Sequence, residues 1–371
     1  MSEQNIKKMI GKAFLDIAEG IKSKDFGKKY VIGIAADGSE HGEETFMQAA
    51  ALAEAKGLKP LLIKGENTHE QMEELLRTGE IDGAVTMHYP FPIGVSTVGK
   101  IVTPAKGRTM YIATTTGTSD TDRICAMVKN AVYGIIAAKA DGLERPTVGI
   151  ANIDGARQCE KALLKLKDGG YDIEFASSAR ADGGIVMRGN DLLQGSADVM
   201  IMDSLTGNLM IKIFSSFTSG GGYEYLGWGY GPGIGEGFDK VILIISRASG
   251  APLIAGAVEY ASSLIANGMI GIAERELKAA KKAGLDEILK EFSQQKATRD
   301  DSSEEVRMPP AEVVTEQIPG IEVMDLDDAV EALWKEDIYA ESGMGCTGPI
   351  IRISQANKDR ALKILADRQY I

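Results

Sequence analysis

Histidine and cysteine are scarce in this sequence, and their scarcity excludes several kinds of site. The 371 residues include only three histidines and three cysteines. Neither H-x-x-H nor C-x-x-C spacing occurs, so the sequence indicates no metal centre, and we expect no other cofactor. An odd number of scattered cysteines (Cys125, Cys159 and Cys346) is typical of a reduced protein rather than of a disulfide framework.

Long apolar runs and an excess of basic charge are also missing. No run approaches the length of a membrane span, and the N-terminal MSEQNIKKMIGKAF lacks the apolar core of a secretory signal. Acidic residues outnumber basic ones by 53 to 41, and the net charge of -12 repels nucleic acid and anionic membranes. We therefore expect a soluble, cytoplasmic protein that binds neither, and in which any phosphate site is local.

What the sequence does contain is a regular alternation of apolar strands and amphipathic helices. This alternation predicts an α/β fold with a parallel or mixed sheet covered on both faces. Because the chain is longer than one core usually supports, we expect two lobes. The predicted units are a first lobe (1–147 with 265–293), a second lobe (148–264), a linker (294–311) and a small C-terminal appendage (312–371).

Two segments are harder to assign. From Val95 the pattern favours a helix-like stretch that leads into a strand at 109–113. The glycine-rich tract at 220–237 is a weak signal and is compatible with a flexible loop.

The strongest candidate site lies in the segment ADVMIMDSLTGNLMIKIFSS, residues 197–216. An apolar strand ends at Asp203, Ser204, Thr206, Gly207 and Asn208, and a helical pattern follows from residue 209. Helix N-terminal amides and the helix dipole suit an anion, so the turn is a candidate phosphate site. The alternative is that these polar residues only cap the helix.

A second candidate is the hydroxyl-rich loop TTTGTSDTDR at 114–123, which precedes a long helix. Thr116, Thr118 and Ser119 offer hydroxyls, and Arg123 offers a guanidinium fork for phosphate. The alternative is a helix cap with Arg123 in a surface ion pair.

A third candidate is Cys346 in GMGCTGPI, within the appendage. A turn there would expose the thiol, and turn amides would lower its pKa, which favours reactivity. The alternative is a small residue in a tight turn.

The order of these motifs resembles the phosphate acyltransferase superfamily. The resemblance rests on TGTSDTDR, ERPTVGIANIDGA, RADGGIVMRGNDLLQGSADVMIMDSLTGNLMIK and ASGAPLIAGAVEYASSLIANG, and it extends over residues 30–275. Its most specific part is D-x-x-T/A-G-N-x-x-x-K at 203–212, which in those enzymes lies at the acyl-phosphate cleft. The resemblance implies a two-lobed fold like that of isocitrate and isopropylmalate dehydrogenases.

The appendage with its glycine-flanked cysteine resembles the branch of this superfamily found in glycine/sarcosine/betaine reductase complexes. That branch implies a subunit that converts a protein-bound acetyl thioester and phosphate to acetyl phosphate. The implied partners are a thiolase-like beta subunit that carries a cysteinyl thioester and the selenoprotein of the reductase, and we expect an oligomer. Which of the three amino-acid substrates the complex uses stays open.

These considerations give a set of predicted site residues. Catalytic roles are predicted for Asn208, Arg123 and Cys346. The predicted substrate-binding residues are Thr116, Thr118, Ser119, Arg180, Asp203, Ser204, Thr206, Gly207 and Arg247. Phosphate acetyltransferases carry N-D-L-S-R-G late in the fold, but the region taken as its counterpart here, EYASSLIANG, has no arginine. The cation that contacts phosphate is therefore open among Arg123, Arg180 and Arg247.

Four alternatives stay open. A phosphate acetyltransferase would use acetyl-coenzyme A directly, and a scaffold subunit would only dock a partner. A dehydrogenase of the isocitrate type is disfavoured because no G-x-G-x-x-G follows the first strand. A long-chain acyltransferase is disfavoured by the charged segment at 274–290.

Overall fold

The computed structural model describes residues 29–180, 183–300, 307–321, 325–345, 348–368 and 370–371. The strands are β1 (Val31–Ala35), β2 (Lys59–Ile63), β3 (Gly83–Thr86), β4 (Val95–Val102), β5 (Thr109–Thr118), β6 (Thr147–Ala151), β7 (Glu174–Phe175), β8 (Val186–Met187), β9 (Val199–Ile201), β10 (Gly231–Gly235), β11 (Ile242–Ile244), β12 (Glu316–Pro319), β13 (Ala340–Gly345) and β14 (Gly348–Ile353). The α-helices are α1 (Glu44–Ala55), α2 (Thr68–Thr78), α3 (Arg123–Ala140), α4 (Ala156–Asp168), α5 (Gly189–Gln194), α6 (Ser204–Ser216), α7 (Ala251–Ala266), α8 (Met269–Lys282), α9 (Leu285–Asp300), α10 (Leu326–Trp334) and α11 (Lys358–Asp367).

The prediction of an α/β protein with a large mixed sheet and flanking helices is confirmed. One sheet of 11 strands has the order β2-β1-β3-β11-β10-β4-β5-β9-β6-β7, with β8 also paired to β6. At one side β2, β1, β3 and β11 are parallel, and at the other side β5, β9, β6, β7 and β8 are parallel. Between them, the pairs β11–β10, β10–β4 and β4–β5 are all antiparallel.

Three successive reversals give the two parallel sets opposite directions. The carboxyl ends of β5, β9 and β6 therefore meet at one edge, and those of β1, β3 and β11 meet at the opposite edge. Because ligands of open α/β sheets bind beyond the carboxyl ends of parallel strands, this topology creates two separate places for a site.

Helices cover both faces of the sheet around β5. Ala113 faces α3, where a β-carbon at Gly134 would lie 3.1 Å from the Ala113 side chain. Its neighbour Ile112 faces α6, where a β-carbon at Gly207 would lie 3.3 Å from Ile112. Successive residues of a strand point to opposite faces, so α3 and α6 pack on opposite sides of β5.

Two segments have a different structure from the one expected. The stretch from Val95 is not helical but forms β4, whose residues VSTVGKIV are buried or nearly so and pair with both neighbours. A short apolar run that is buried on both faces has no period that separates strand from helix. The next strand is also longer than predicted, since β5 continues through Thr118 and includes much of the hydroxyl-rich segment.

The glycine-rich tract contributes a central strand rather than only a loop. The strand β10, GPGIG, is buried throughout and lies between β11 and β4. A β-carbon at Gly233 would lie 2.3 Å from the Phe91 ring, and one at Gly231 would lie 1.6 Å from the Val98 carbonyl oxygen. These glycines thus allow neighbouring groups to approach the backbone closely.

The C-terminal region has its own small core. The strands β12, β14 and β13 form an antiparallel sheet, and α10 and α11 supply apolar residues to the cluster packed on it. Cys346 and Thr347 lie outside the described residues, between Gly345 and Gly348, which pair across β13 and β14. Helix α9 extends to Asp300, so the predicted linker begins as helix.

In the described ranges, no single helix combines the length and apolar content needed to cross a membrane. Helices α7 and α8 pass that test only as a pair, and they are bent by 65°.

Candidate functional site

The predicted turn lies at the edge where β5, β9 and β6 end and the helices α3, α6 and α4 begin. A cleft of about 290 Å³ opens here between the two helix N-termini of α3 and α6. Its lining includes Thr118, Ser119, Arg123, Asp203 and Ser204, so the structure brings together five of the predicted site residues. Thr118 ends β5, Ser119 and Arg123 follow that strand, and Asp203 and Ser204 follow β9.

Asp203 caps helix α6. Its Oδ1 accepts hydrogen bonds from the amides of Leu205 and Thr206, at 3.0 and 2.9 Å, and its Oδ2 accepts one from the Thr206 hydroxyl at 2.7 Å. Burial alone would raise the pKa of Asp203, but these hydrogen bonds and the charge of Arg123 outweigh burial and hold the pKa below its usual value. The helix therefore starts at Ser204 and not at Leu209, and Thr206 serves the cap, as the alternative interpretation expects.

Arg123 bridges two carboxylates. One guanidinium nitrogen donates to Asp154 Oδ2 at 2.9 Å and the other to Asp203 Oδ2 at 3.2 Å. Asp154 follows β6 and was not among the predicted site residues. The arginine therefore links the turns that follow β6 and β9. Its side chain is still 45% exposed and lines the cleft.

Gly207 and Asn208 fix the start of α6 against β5. A β-carbon at Gly207 would lie 1.7 Å from the Thr114 carbonyl oxygen, so only glycine fits this close approach. The Asn208 side chain donates a hydrogen bond to the Thr115 carbonyl at 3.0 Å. Both residues therefore lie inside the first turns of the helix and contact the neighbouring strand.

The three hydroxyl residues of β5 and its following loop have different environments. Ser119 is 2% exposed and donates to Asn130 Oδ1 at 2.7 Å, which gives it a structural partner. Thr116 is half-buried, and its amide donates to Thr97 Oγ1 at 3.1 Å. Thr118 is exposed at the end of β5 and lines the cleft.

The other predicted cations are not brought to this cleft. Arg180 lies in the loop after β7 at the same edge of the sheet, where its amide donates to Ser178 Oγ at 3.3 Å. Arg247 lies at the opposite edge, beyond β11, and its Nε donates to the Gly38 carbonyl at 3.0 Å. It lines a cleft of about 610 Å³ together with two histidines, His69 and His88.

Sequence reasoning missed a polar cluster on the third turn of α6. Lys212 Nζ donates to the Tyr230 hydroxyl at 2.6 Å, and that hydroxyl donates to Glu224 Oε1 at 2.9 Å. Ser246 donates to the same carboxylate oxygen at 2.7 Å. Ser246 and Arg247 are consecutive in the chain, like the Ser-Arg of N-D-L-S-R-G, and they precede EYASSLIANG. This dipeptide was a signal available in the sequence.

Helix α6 carries two neighbouring stripes at four-residue spacing. Ser204, Asn208 and Lys212 form a polar stripe, because residues four apart share a helix face. The apolar stripe beside it is exposed to solvent and consists of Leu205, Leu209 and Ile213 of α6 and of Phe217, which directly follows the helix. Contiguous exposed apolar patches mark contact surfaces, whereas single exposed apolar residues are ordinary.

The fold and this edge define an α/β protein with a cleft built from helix N-termini, hydroxyls and a bridging arginine. The chain belongs to the fatty acid synthesis protein family, whose model matches residues 24–352. This is a family of phosphate acyltransferases.

Comparison with individual proteins includes a relative that matches nearly the whole chain. The chain is 55% identical over 379 residues to the glycine/sarcosine/betaine reductase complex component C subunit alpha of Peptoclostridium acidaminophilum, with 98% of each chain covered. It is 33% identical over 78 residues to the phosphate acyltransferase of Phenylobacterium zucineum (strain HLK1), about 20% of each chain. It is also 34% identical over 92 residues to that of Rhodospirillum rubrum, which covers 23% of this chain and 24% of the relative.

Proposed function

We propose that this chain is the phosphate acyltransferase subunit of a glycine/sarcosine/betaine reductase complex. In the proposed reaction, a phosphate oxygen attacks the carbonyl carbon of a protein-bound acetyl thioester. The new carbon–oxygen bond forms as the carbon–sulfur bond breaks, and the leaving thiolate takes the proton that hydrogen phosphate gives up. Acetyl phosphate and a free thiol result, and no oxidant or reductant is needed.

The observation that carries this proposal is the polar stripe of α6. Ser204, Asn208 and Lys212 extend over about 12 Å of helix, which is enough for an acetyl group and a phosphate side by side. Asn208 is held by the Thr115 carbonyl, so its position is set before substrate binds. Such preorganised polar groups stabilise the oxyanion that forms at the carbonyl. Phosphate is itself a nucleophile, so the chemistry requires positioning above all.

The apolar stripe of α6 supports delivery of the acetyl group by another protein. It begins at Leu205, next to the cleft residue Ser204, and is exposed at every fourth residue through Phe217. A thiolase-like beta subunit docked on this stripe would bring its cysteinyl thioester to the polar stripe beside it. The selenoprotein of the reductase belongs to the same proposed complex, and an oligomeric assembly follows from it.

Several finer predictions stay part of this proposal. They are the two-lobed architecture of isocitrate dehydrogenase type, the unit boundaries at 147, 264, 293 and 311, the cytoplasmic location, and direct contact of Arg123, Arg180 or Arg247 with phosphate. Cys346 is proposed to relay or contact the acetyl group. Its expected signature is a slower acyl transfer in Cys346→Ala with unchanged folding, whereas Cys125→Ala, at a buried thiol, should alter mainly stability.

The test is an arsenate assay on the purified chain with its beta subunit. Arsenate replaces phosphate, and the acyl arsenate hydrolyses, so an active transferase causes arsenate-dependent loss of acetyl phosphate. We expect this loss in the wild type and a much slower loss in Asn208→Ala, with little change in thermal stability. No arsenate-dependent loss would favour the scaffold alternative, and saturable turnover of free acetyl-coenzyme A without the partner would favour a phosphate acetyltransferase.

A further inference from the structure

Lys212 belongs to a cluster that is buried on one side and open on the other. Its Nζ lies 4.8 Å from the centroid of the Tyr230 ring and 3.9 Å from Glu224 Oε1. Tyr230 and Glu224 are 2% and 4% exposed, whereas the lysine side chain is 48% exposed. The cluster therefore anchors the lysine in the interior and presents its ammonium at the surface of α6.

The ammonium retains capacity for an anion. A lysine ammonium has three N–H donors. Among the described residues, one N–H of Lys212 donates to the neutral Tyr230 hydroxyl. Arg123 differs, because it directs two guanidinium nitrogens at carboxylates. A cation between two carboxylates attracts a further anion weakly.

Glu224 is the unusual member of the cluster. Its Oε1 accepts hydrogen bonds from both Tyr230 and Ser246. Its Oε2 is buried and has no hydrogen-bond partner among the described residues. A buried carboxylate that is only partly satisfied costs stability, so its retention here needs a reason other than stability. Glu224 links Lys212, through the Tyr230 hydroxyl, to Ser246, the residue that precedes Arg247. We take the positioning of Lys212 as the reason for this carboxylate.

We propose that Lys212 is the cation that binds phosphate in the acyl-transfer site, and that Tyr230 and Glu224 are its positioning residues. The anion bound is a phosphoryl group, either inorganic phosphate or the phosphate of the acyl phosphate product. This inference rests on the proposed function but assigns the phosphate-binding cation to Lys212 instead of to one of the three arginines considered there. It also couples the third turn of α6 to Ser246 and Arg247 beyond β11.

The first experiment measures acyl transfer as a function of phosphate concentration. Lys212→Met should lower kcat/KM for phosphate by about 100-fold, the usual effect of losing one preorganised charge-stabilising donor, and Lys212→Arg should restore part of it. Tyr230→Phe keeps the ring and removes only the hydroxyl, so it should raise KM for phosphate about tenfold and change kcat less. In a Lys212→Met background, Tyr230→Phe should have no further effect on KM, because the two residues act as a unit.

Glu224 is tested by two variants with different hydrogen-bonding capacity. Glu224→Gln keeps an acceptor oxygen for Tyr230 and Ser246 and should retain most of the affinity for phosphate, whereas Glu224→Ala should not. The matched control is Tyr89→Phe, since Tyr89 contacts a similar pair, Glu73 and Lys240, away from α6. That control should leave KM for phosphate unchanged.

Calorimetric titration of the full chain with inorganic phosphate separates this inference from the proposed function, because it needs no acyl donor. Binding that is present in the wild type and lost in Lys212→Met supports the inference even if no acyl transfer is found. Equal binding by the wild type and Lys212→Met overturns it even if the chain transfers acyl groups. Equal effects of Tyr230→Phe with and without Lys212 would overturn the positioning roles.

Discussion

The two ends of helix α6 present cations of different character. At the N-terminal end, Arg123 forms ion pairs with Asp154 and Asp203, so these two carboxylates neutralise its positive charge. About 12 Å along the helix, Lys212 has a neutral hydroxyl as its hydrogen-bond partner and one carboxylate at 3.9 Å. The difference indicates that the N-terminal end builds and holds the turn, while the third turn is free to hold an anion.

The largest expected effect concerns the construction of the N-terminal end. Gly207→Ala places a methyl group 1.7 Å from the Thr114 carbonyl oxygen, so the helix must move away from β5. We expect the free energy of unfolding in urea to fall by about 3 kcal/mol or more. Gly271→Ala in α8, where the nearest atom is 3.5 Å away, is the matched control and should be neutral or stabilising by up to about 1 kcal/mol. Equal stabilities of the two variants would contradict the close approach.

A smaller effect is expected from the cap of the same turn. Asp203→Ala should lower the free energy of unfolding by about 1 kcal/mol at neutral pH. Because the folded pKa of Asp203 is lowered from 3.8, its contribution is complete above pH 3.8 and is lost as the pH falls through the folded value. In urea unfolding, the difference between wild type and variant should thus stay constant from neutral pH down to about pH 5 and shrink as the pH is lowered below 3.8. A difference in the free energy of unfolding that stays constant at every pH would show that the ionised carboxylate of Asp203 does not contribute to stability. The control is Asp239→Ala, at an exposed aspartate.

The smallest effect should follow loss of Arg123 itself. Arg123→Met breaks two ion pairs whose arginine is 45% exposed, so solvent screening limits the loss of stability to about 0.5–1 kcal/mol. We expect KM for phosphate to change by less than about threefold, in contrast to Lys212→Met. A loss of phosphate affinity as large as that of Lys212→Met would reverse the roles assigned to the two ends of α6.

Local patterns in the sequence were enough to predict the class of fold and the turn at Asp203. Apolar strands followed by polar turns and amphipathic helices are local signals, and the Asp203 turn combines a strand end with a helix start. The start of α6 was predicted too far along the chain, at residue 209 instead of Ser204. The reason is that Thr206, Gly207 and Asn208 are typical loop residues, although they form the first turns of this helix. The strand β4 was missed because burial on both faces removes the alternation that identifies a strand.

The cluster around Lys212 shows what local patterns do not contain. Its spacing of four from Asn208 was visible and predicts a shared helix face. Tyr230 and Glu224, by contrast, come from the glycine-rich tract and reach Lys212 only because β10 lies in the centre of the sheet. Contacts of this kind depend on strand order, which propensity and periodicity do not encode.

The proposed formation of acetyl phosphate from a protein-bound thioester can be followed directly by phosphorus NMR. The beta subunit is acetylated on its cysteine and mixed with inorganic phosphate, with or without this chain. We expect an acetyl phosphate signal that appears only when the chain is present, that grows with phosphate concentration, and that is nearly absent with Lys212→Met. A thioester that stays intact, or that is lost to acetate without any acetyl phosphate signal, would show that this chain does not catalyse the proposed transfer.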